Sequence, residues 1–236
     1  MKNITRFLAL GLTATIMLGS FTACNAKVKA NVNVNGSEVI NTVISTGSWK
    51  IDELNKVSVE HKKIYEEAVS QLDGYFYEPV ALLGTQIVSG TNYAFVSQPT
   101  SGGKSAMNSL VITYINVDPS GKASFISDER IVLPGTETDN GTLAGGWSYV
   151  ESAEVTTRIK EMFEGMESYD GGPVYMPIAN VGTQIVSGTN YAVLCKTAPS
   201  HSEMNEKGTL VLVYVYENLQ GACEITNTET IELSIY

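Results

Sequence analysis

An eleven-residue segment occurs twice in this chain without a single change. Residues 84–94 return as residues 182–192, 98 positions later. The same spacing separates Trp49 from Trp147, and no insertion lies between these tryptophans and the repeated segment. Self-similarity at a fixed period indicates one structural unit that is used twice. We therefore predict two similar units that carry an identical segment at equivalent positions.

The spacing between equivalent residues widens to 100 positions later in the units, as Tyr114 and Tyr214 show. The polar stretches 98–108 and 196–208 contain this difference in length. Because insertions collect in exposed loops, we interpret the two stretches as equivalent surface loops.

The first 23 residues have the pattern of an export signal. Lys2 and Arg6 precede a mostly apolar run at 7–18, and small residues lead to Cys24. The run is shorter than the ~20 residues that a membrane-spanning helix needs, and this pattern is typical of a cleaved signal. The signal resembles that of a bacterial lipoprotein, which implies lipidation of Cys24 and anchoring of the exported protein to the bacterial cell membrane. Ordinary signal cleavage near Ala23 is the alternative.

The chain that remains after residues 1–23 is acidic. Loss of Lys2 and Arg6 takes the net charge from −10 to −12. Contacts with phosphates need clustered Lys and Arg, so the charge argues against nucleic acid as a partner. It also argues against polybasic docking to a membrane, which leaves the lipid as the anchor.

Each unit has the pattern of one helix followed by four strands. Apolar residues at 57–72 recur at helical spacing with charged residues opposite, and 155–166 repeat this pattern. Runs rich in Val, Ile, Tyr and Thr follow each helix and predict strands. A short stretch at Trp49 or Trp147 adds a first strand. We therefore predict an α+β fold, in which each domain packs one helix on a four- to five-stranded antiparallel sheet.

The predicted domain organisation follows from the repeat. It comprises a signal peptide at 1–23, a spacer at 24–46, a first domain at 47–135, a linker at 136–142 and a second domain at 143–236. A small hairpin turning at Asn35-Gly36 is the alternative to the spacer. We call residues 47–135 the first unit and residues 143–236 the second unit.

The repeated segment contains Gln-Ile-Val-Ser-Gly followed by Thr-Asn-Tyr. This string resembles the Gln-x-Val-x-Gly hairpin of the cystatin and stefin superfamily, and the predicted order of elements is similar to the cystatin order. In that family a glycine-containing amino-terminal segment, the Gln-x-Val-x-Gly hairpin and a second hairpin form a wedge. The wedge enters the active-site cleft of papain-like cysteine proteases. The resemblance therefore implies two tandem cystatin-like domains, each with a protease-binding end.

The resemblance implies protease contact from residues of both units. In the first unit they are Gly47, Gln86, Ile87, Val88, Ser89, Gly90 and Pro119. In the second unit they are Gly145, Gly146, Gln184, Ile185, Val186, Ser187, Gly188 and Leu219. Residues 143–146 look like the Leu-x-Gly-Gly segment of the family, so the second unit is expected to be the better inhibitor. Neither second hairpin has the Trp of the family.

A simpler interpretation is that Ser-Gly-Thr-Asn only makes a good hairpin turn. It explains Gly90 and Gly188, since glycine adopts positive φ readily, but not the identical Gln, Ile and Val before the turn. At 49–83 only 10 of 35 residues match their equivalents, whereas all eleven residues of the repeated segment match. We interpret this identity as a shared binding or folding demand on the segment.

No pattern of residues indicates an enzyme, a metal site or a cofactor. His61 lies on the helix stripe and His201 in a loop, so no histidine pair suits a metal. Gly103-Lys104-Ser105 lacks the first glycine of a phosphate-binding loop and joins two strands. A nucleophile, a histidine and an acid in a recognisable context are also missing from the sequence.

Two functional hypotheses follow. The first is a surface-anchored inhibitor of papain-like cysteine proteases that blocks the cleft with its hairpin loops. The second is a non-inhibitory cystatin-like module that binds a protein or a glycan at the cell surface. The intact Gln-x-Val-x-Gly hairpins and residues 143–146 favour inhibition, whereas the missing Trp favours the binding module.

Cys195 and Cys223 are predicted to be free thiols. In the cystatin order, the strand at 210–216 runs between the strands that carry them. Two strand spacings are about 9–10 Å, beyond the ~7 Å Cα separation that a disulfide tolerates. An exported protein permits a disulfide, but this strand order argues against one.

Overall fold

A computed structural model describes residues 27–28, 44–45, 47–74, 77–100, 109–136, 145–166, 173–198 and 208–236. The predicted signal at 1–23, Cys24, most of the predicted linker and Leu143 lie outside these residues. Within the described ranges, no helix is both long enough and apolar enough to cross a membrane.

Strands greatly outnumber helices in the described residues. Up to the end of the first unit the strands are β1 (Lys27–Val28), β2 (Ile44–Ser45), β3 (Trp49–Ile51), β4 (Tyr77–Val88), β5 (Gly90–Pro99), β6 (Val111–Val117) and β7 (Ala123–Arg130). In the second unit they are β8 (Trp147–Tyr149), β9 (Val174–Val186), β10 (Gly188–Ala198), β11 (Leu210–Glu217) and β12 (Cys223–Ile231). The helices are α1 (Val59–Val69) and α2 (Thr157–Gly165).

Each unit contributes one five-stranded antiparallel sheet. The strand orders are β3-β4-β5-β6-β7 and β8-β9-β10-β11-β12, so neighbours along the chain are also neighbours in the sheet. A separate two-stranded ladder pairs Lys27 of β1 with Ser45 of β2, inside the segment that was predicted to be a spacer. A helix-containing segment joins the first two strands of each sheet, and successive hairpins join the last four.

Each helix lies against the outer face of its own sheet. The buried helix residues are Tyr65 and Ala68 in α1, and Ile159, Met162 and Phe163 in α2. In the first unit they meet Leu82, Phe95 and Ile115. Side chains cap both helix starts, since the hydroxyl of Ser58 accepts from His61 N and that of Thr156 accepts from Ile159 N.

The largest core of the described residues lies between the two sheets. The first sheet supplies Ala81, Leu83, Ala94, Val96, Leu110, Ile112 and Tyr114, and the second supplies Ala179, Val181, Ala192, Leu194, Leu210, Leu212 and Tyr214. Trp49 and Trp147 pack at its margin, with their rings 5.8 Å from Tyr114 and 5.4 Å from Tyr214. The two units therefore share one hydrophobic core.

The predicted α+β fold class is wrong. The chain is mostly β: two antiparallel sheets face each other, and the two short helices cover only part of their outer faces. The cause lies in strands such as β4, where Ala81, Leu82, Leu83 and Gly84 are all buried, so that both faces of the strand are covered. A helix on one face leaves an apolar inner face, and the sheet of the other unit covers it.

The end of each unit reaches across to the sheet of the other. Leu133, after β7, places its Cδ1 so close to Gly182 that a Cβ there would lie 2.3 Å away. Leu233, after β12, approaches Gly84 in the same way, and the corresponding distance is 3.4 Å. Leu133 and Leu233 occupy equivalent positions, as do the two glycines. The repeats are therefore related by an approximate twofold arrangement, as subunits of a symmetric dimer are.

A second pair of equivalent residues, Gln98 and Lys196, also joins the units. Gln98 accepts a hydrogen bond across the interface, whereas Lys196 donates. Gln98 Oε1 accepts a hydrogen bond from Ala153 N at 3.1 Å. Its equivalent, Lys196, donates from Nζ to the carbonyl oxygens of Asp52 and Glu53. Lys196 is only 7% exposed, and its burial lowers the pKa of the ammonium group. The interface is therefore symmetric in layout but not in chemistry.

The two units differ in three neighbouring residues that are buried between the helix and the sheet. In the first unit, Tyr65 OH donates to Ser97 Oγ at 3.0 Å, and Thr113 Oγ1 also donates to Ser97 Oγ, at 3.0 Å. The equivalent residues of the second unit are Phe163, Cys195 and Val213. Buried hydroxyls need partners, so all three positions are polar together in one unit and lack hydroxyls together in the other.

The prediction of two free thiols is confirmed. Cys195 lies on β10 and Cys223 on β12, with β11 between them. Both cysteines are unpaired. Burial raises the pKa of the Cys195 thiol well above its ordinary range, which makes this thiol unreactive.

Candidate functional site

The three predicted contact segments of the first unit lie at one end of its sheet. Gly47 N donates to Ile87 O at 3.0 Å, which joins the amino-terminal segment to the hairpin between β4 and β5. Thr91 of β5 is paired with Val117 of β6, so the β6–β7 turn, which contains Pro119, lies beside that hairpin. Sequence reasoning therefore identified three neighbouring segments although it assigned the wrong fold class.

The second unit brings its equivalent segments together in the same way. Gln184 Nε2 donates to Gly145 O at 2.8 Å, and Thr189 of β10 is paired with Glu217 of β11. Tyr216 OH donates to Ser187 O at 2.6 Å, which ties β11 to the tip of the neighbouring hairpin. We call this end of the second unit, comprising Gly145, 185–188 and 218–221, the second hairpin surface.

The glutamine of each repeated segment is a structural residue. Gln86 is fully buried, donates to Gly47 O at 3.0 Å and accepts from Asn92 Nδ2 at 2.7 Å. Gln184 makes the same two hydrogen bonds, the second one with Asn190 Nδ2. These glutamines hold the glycine-containing segments in place and have their polar atoms engaged within the chain.

The glycine of each tip allows a close approach between neighbouring hairpins. Gly90 has φ +107°, and a Cβ there would lie 2.2 Å from the carbonyl oxygen of Val117. Gly188 has φ +128°, and its Cβ would lie 2.3 Å from the carbonyl oxygen of Glu217. Only glycine fits both the conformation and the space, so a substitution at either position tests folding rather than binding.

Exposed apolar side chains distinguish the second hairpin surface. Ile185 is 68% exposed, Val186 is 44% exposed, and Leu219, on the adjacent turn, is 76% exposed. In the first unit Ile87 is 44% exposed, Val88 is half-buried, and Pro119 occupies the position of Leu219. The second unit therefore offers the larger apolar area at its tips.

The turns that follow β6 and β11 also differ in charge. Asp118 accepts hydrogen bonds from Ser120 Oγ, Ser120 N and Lys122 N, and these bonds lower the pKa of its carboxyl group. The equivalent Asn218 accepts from the backbone amides of Gln220 and Ala222 and carries no charge. The turn of the first unit therefore carries a carboxylate at a position where the turn of the second unit has a neutral amide.

Arg158 and Glu217 adjoin the second hairpin surface and were not among the residues predicted from the sequence. Arg158 Nε donates to Glu217 Oε1 at 2.9 Å, and Arg158 Nη2 contacts the same oxygen and also Gly221 O. Tyr191 OH donates to the other carboxylate oxygen at 3.0 Å. Burial, followed by this bond to Glu217, raises the pKa of Tyr191. In the sequence, this pair is marked by a difference between the two copies: the first unit has Glu60 and Val117 at the positions of Arg158 and Glu217.

Folding demands account for much of the repeated segment, but not for all of it. The first and third residues, glycine and glutamine, serve the contacts described above, as do Gly90, Asn92 and their equivalents. Ala94 and Ala192 are fully buried in the core between the sheets. Six residues remain: the two threonines, the tyrosine, and the isoleucine, valine and serine before the turn. Of these, Ile87 and Ile185 are exposed. The contacts described above do not explain why these residues are identical in the two units.

The described residues contain no group of three or more His, Cys, Asp and Glu side chains arranged to hold a metal.

No protein-family model matches the chain, and no curated protein matches it significantly. The resemblance to the cystatin hairpin therefore rests on the residues of the repeated segments alone.

Replacement of the tip glycine should destabilise the protein far more than replacement of a glycine in the adjacent turn. Gly90→Ala adds a Cβ that overlaps the Val117 carbonyl, and we expect a loss of about 3 kcal/mol or more in the free energy of unfolding. Gly121 also has positive φ but has nothing within 4 Å of an added Cβ. Gly121→Ala should therefore cost only about 1 kcal/mol. Urea denaturation measures both, and equal losses would contradict the close approach at Gly90.

Proposed function

We propose that the protein inhibits papain-like cysteine proteases, and that the second hairpin surface enters the protease cleft. The observation that carries this proposal is the exposure of Ile185, Val186 and Leu219 on two adjacent tips, beside Gly145. Burial of each exposed aliphatic side chain in a partner would contribute about 1.5–3 kcal/mol. The similarity of residues 184–188 to the Gln-x-Val-x-Gly hairpin supports papain-like cysteine proteases as the class of partner.

The hydrogen bonds within this surface support an inhibitory role. Tyr216, on β11, donates a hydrogen bond to Ser187 O at the tip of the β9–β10 hairpin. Gln184 donates to Gly145 O and so holds the amino-terminal segment beside the same hairpin. A surface that is already ordered loses little conformational entropy on binding. Inhibition by obstruction of a cleft needs no catalytic group and no cofactor from the inhibitor.

A second candidate is a module that binds a protein or a glycan through the same surface without inhibiting a protease. The positions of the two tryptophans favour it. Trp49 and Trp147 pack at the margin of the core between the sheets, and Trp49 Nε1 donates to Ser234 O at 2.8 Å. In the cystatin family a Trp lies in the hairpin that corresponds here to the turns with Pro119 and Leu219. Neither tryptophan of this chain takes the place of that Trp.

Titration of papain-like proteases with the purified protein separates these candidates. We expect inhibition at micromolar concentration or below, and we expect Ile185→Ser and Leu219→Ser each to weaken it. Loss of a central anchor costs about 2 kcal/mol or more, which corresponds to roughly 30-fold in the inhibition constant. Both side chains are exposed, so these changes should leave the fold intact.

Matched controls lie elsewhere on the same chain. Ile87→Ser removes the equivalent residue of the first unit, and Val132→Ser removes a side chain that is 43% exposed outside the hairpins. Both should leave inhibition within about threefold of the unmodified protein. If the unmodified protein inhibits no protease of a representative panel at micromolar concentration, the inhibitor proposal fails and the binding module replaces it.

We also propose that a lipid on Cys24 anchors the protein to the bacterial cell membrane after export. The proposal rests on residues 1–24, which lie outside the described residues. Cys24→Ser should move the protein from the detergent phase to the aqueous phase in a detergent-partitioning experiment, or should block its processing. Equal partitioning and processing of both forms would contradict a lipid anchor.

A further inference from the structure

We propose that Arg158 is a positioning residue that fixes the turn carrying Leu219, and that this contact makes the second unit the binding unit. The inference rests on the proposed function, because it concerns the same surface. The Arg158 contact explains how that surface is ordered. It also explains why the two units are not equivalent in binding although they share their repeated segment.

Arg158 connects three elements of the second unit. It lies in the first turn of α2, and its guanidinium donates to Glu217 at the end of β11 and to Gly221 O at 3.0 Å, in the turn before β12. Nη2 also lies 3.6 Å from Cys223 Sγ, at the start of β12. One planar group therefore spans both ends of the turn that contains Leu219.

Glu217 is held by partners on two sides. Arg158 occupies Oε1, and Tyr191 OH donates to Oε2. The Glu217 side chain is only 18% exposed. Charge-assisted contacts from a guanidinium fix geometry as well as adding energy, so the carboxylate keeps the guanidinium in the orientation that reaches Gly221 O.

The first unit has no equivalent of this arrangement at the same positions. Glu60 and Val117 stand where the second unit has Arg158 and Glu217. Helix α1 instead reaches β7 through Glu67 Oε1, which accepts from Ala123 N at 3.2 Å. That contact lies at the start of the strand, and the turn carrying Pro119 is ordered by Asp118 from within. Among the described residues, a helix side chain therefore bonds to the turn itself in the second unit, at Gly221 O, whereas in the first unit it bonds to the strand that follows.

The Arg158 side chain is 44% exposed. A partly exposed ion pair adds little to global stability, so the effect of Arg158 should be local. A turn that is fixed before binding loses less entropy in the complex. Differences between closely related complexes arise mostly in the dissociation rate. Removal of the guanidinium should therefore loosen the turn and speed dissociation, without unfolding the protein.

The test compares Arg158→Gln, Glu217→Gln and the double variant of the full chain, with Glu60→Gln as the control in the first unit. Amide hydrogen exchange of Gly221 and Ala222 reports on the turn in the free protein. We expect about tenfold faster exchange in all three variants of the second unit, an unchanged urea midpoint, and no change at Gly121. The double variant should behave like either single variant, because both remove the same contact.

The same proteins are then tested for dissociation from a papain-like protease that the unmodified protein inhibits. We expect about tenfold faster dissociation for the three variants of the second unit and no change for Glu60→Gln. Unchanged exchange at Gly221 and Ala222, or faster exchange with unchanged dissociation, overturns the positioning role. Absence of inhibition by the unmodified protein overturns the proposed function and the role of this contact in binding, and hydrogen exchange still decides separately whether Arg158 fixes the turn.

Discussion

The inner faces of the two sheets are apolar, and they bury each other. Residues such as Leu83, Val96 and Leu194 would face water if either sheet stood alone. Burial of each aliphatic side chain contributes about 1.5–3 kcal/mol, which one short helix on the opposite face cannot replace. The reciprocal insertion of Leu133 and Leu233 beside Gly182 and Gly84 fixes how the sheets meet. The glycines of the repeated segment are therefore part of the interface as well as of the hairpins.

This packing leaves the ends of the sheets exposed, and the two units differ there in exposed apolar area. Inner faces are covered by the partner sheet, and outer faces are partly covered by the helices. The hairpins between β9 and β10 and between β11 and β12 carry exposed apolar residues. Their glycines, glutamine and tyrosine hold them in a defined arrangement. The same residues that complete the fold thus order a surface that projects Ile185 and Leu219 into solvent.

Local features of this architecture could be predicted from the sequence. The two free thiols were predicted from the strand order that the cystatin resemblance implies. The repeat itself predicted two equivalent units, and the apolar runs predicted the strands. These features depend on neighbouring residues, or on a comparison of one copy with the other. The proximity of Gly47, the Gln86 hairpin and Pro119 followed from the resemblance of the repeated segment, not from composition.

The arrangement of the sheets could not be predicted in this way. A strand whose two faces are both buried gives the same apolar run whether a helix or another sheet covers it, so β4 did not distinguish the alternatives. The contact between Arg158 and Glu217 joins residues 59 positions apart that have no matching pair in the first unit. The hydroxyls of Tyr65, Ser97 and Thr113 form one network only because tertiary packing brings them together.

Equilibrium unfolding followed separately in each unit tests most directly whether the two sheets share one core. Trp49 reports on the first unit and Trp147 on the second, so Trp147→Phe and Trp49→Phe each leave a single fluorescent reporter. A shared core predicts that, within each variant, tryptophan fluorescence and far-ultraviolet circular dichroism give one coincident transition in urea. Two separated transitions, with one reporter following each, would show that the units fold independently and would contradict the account.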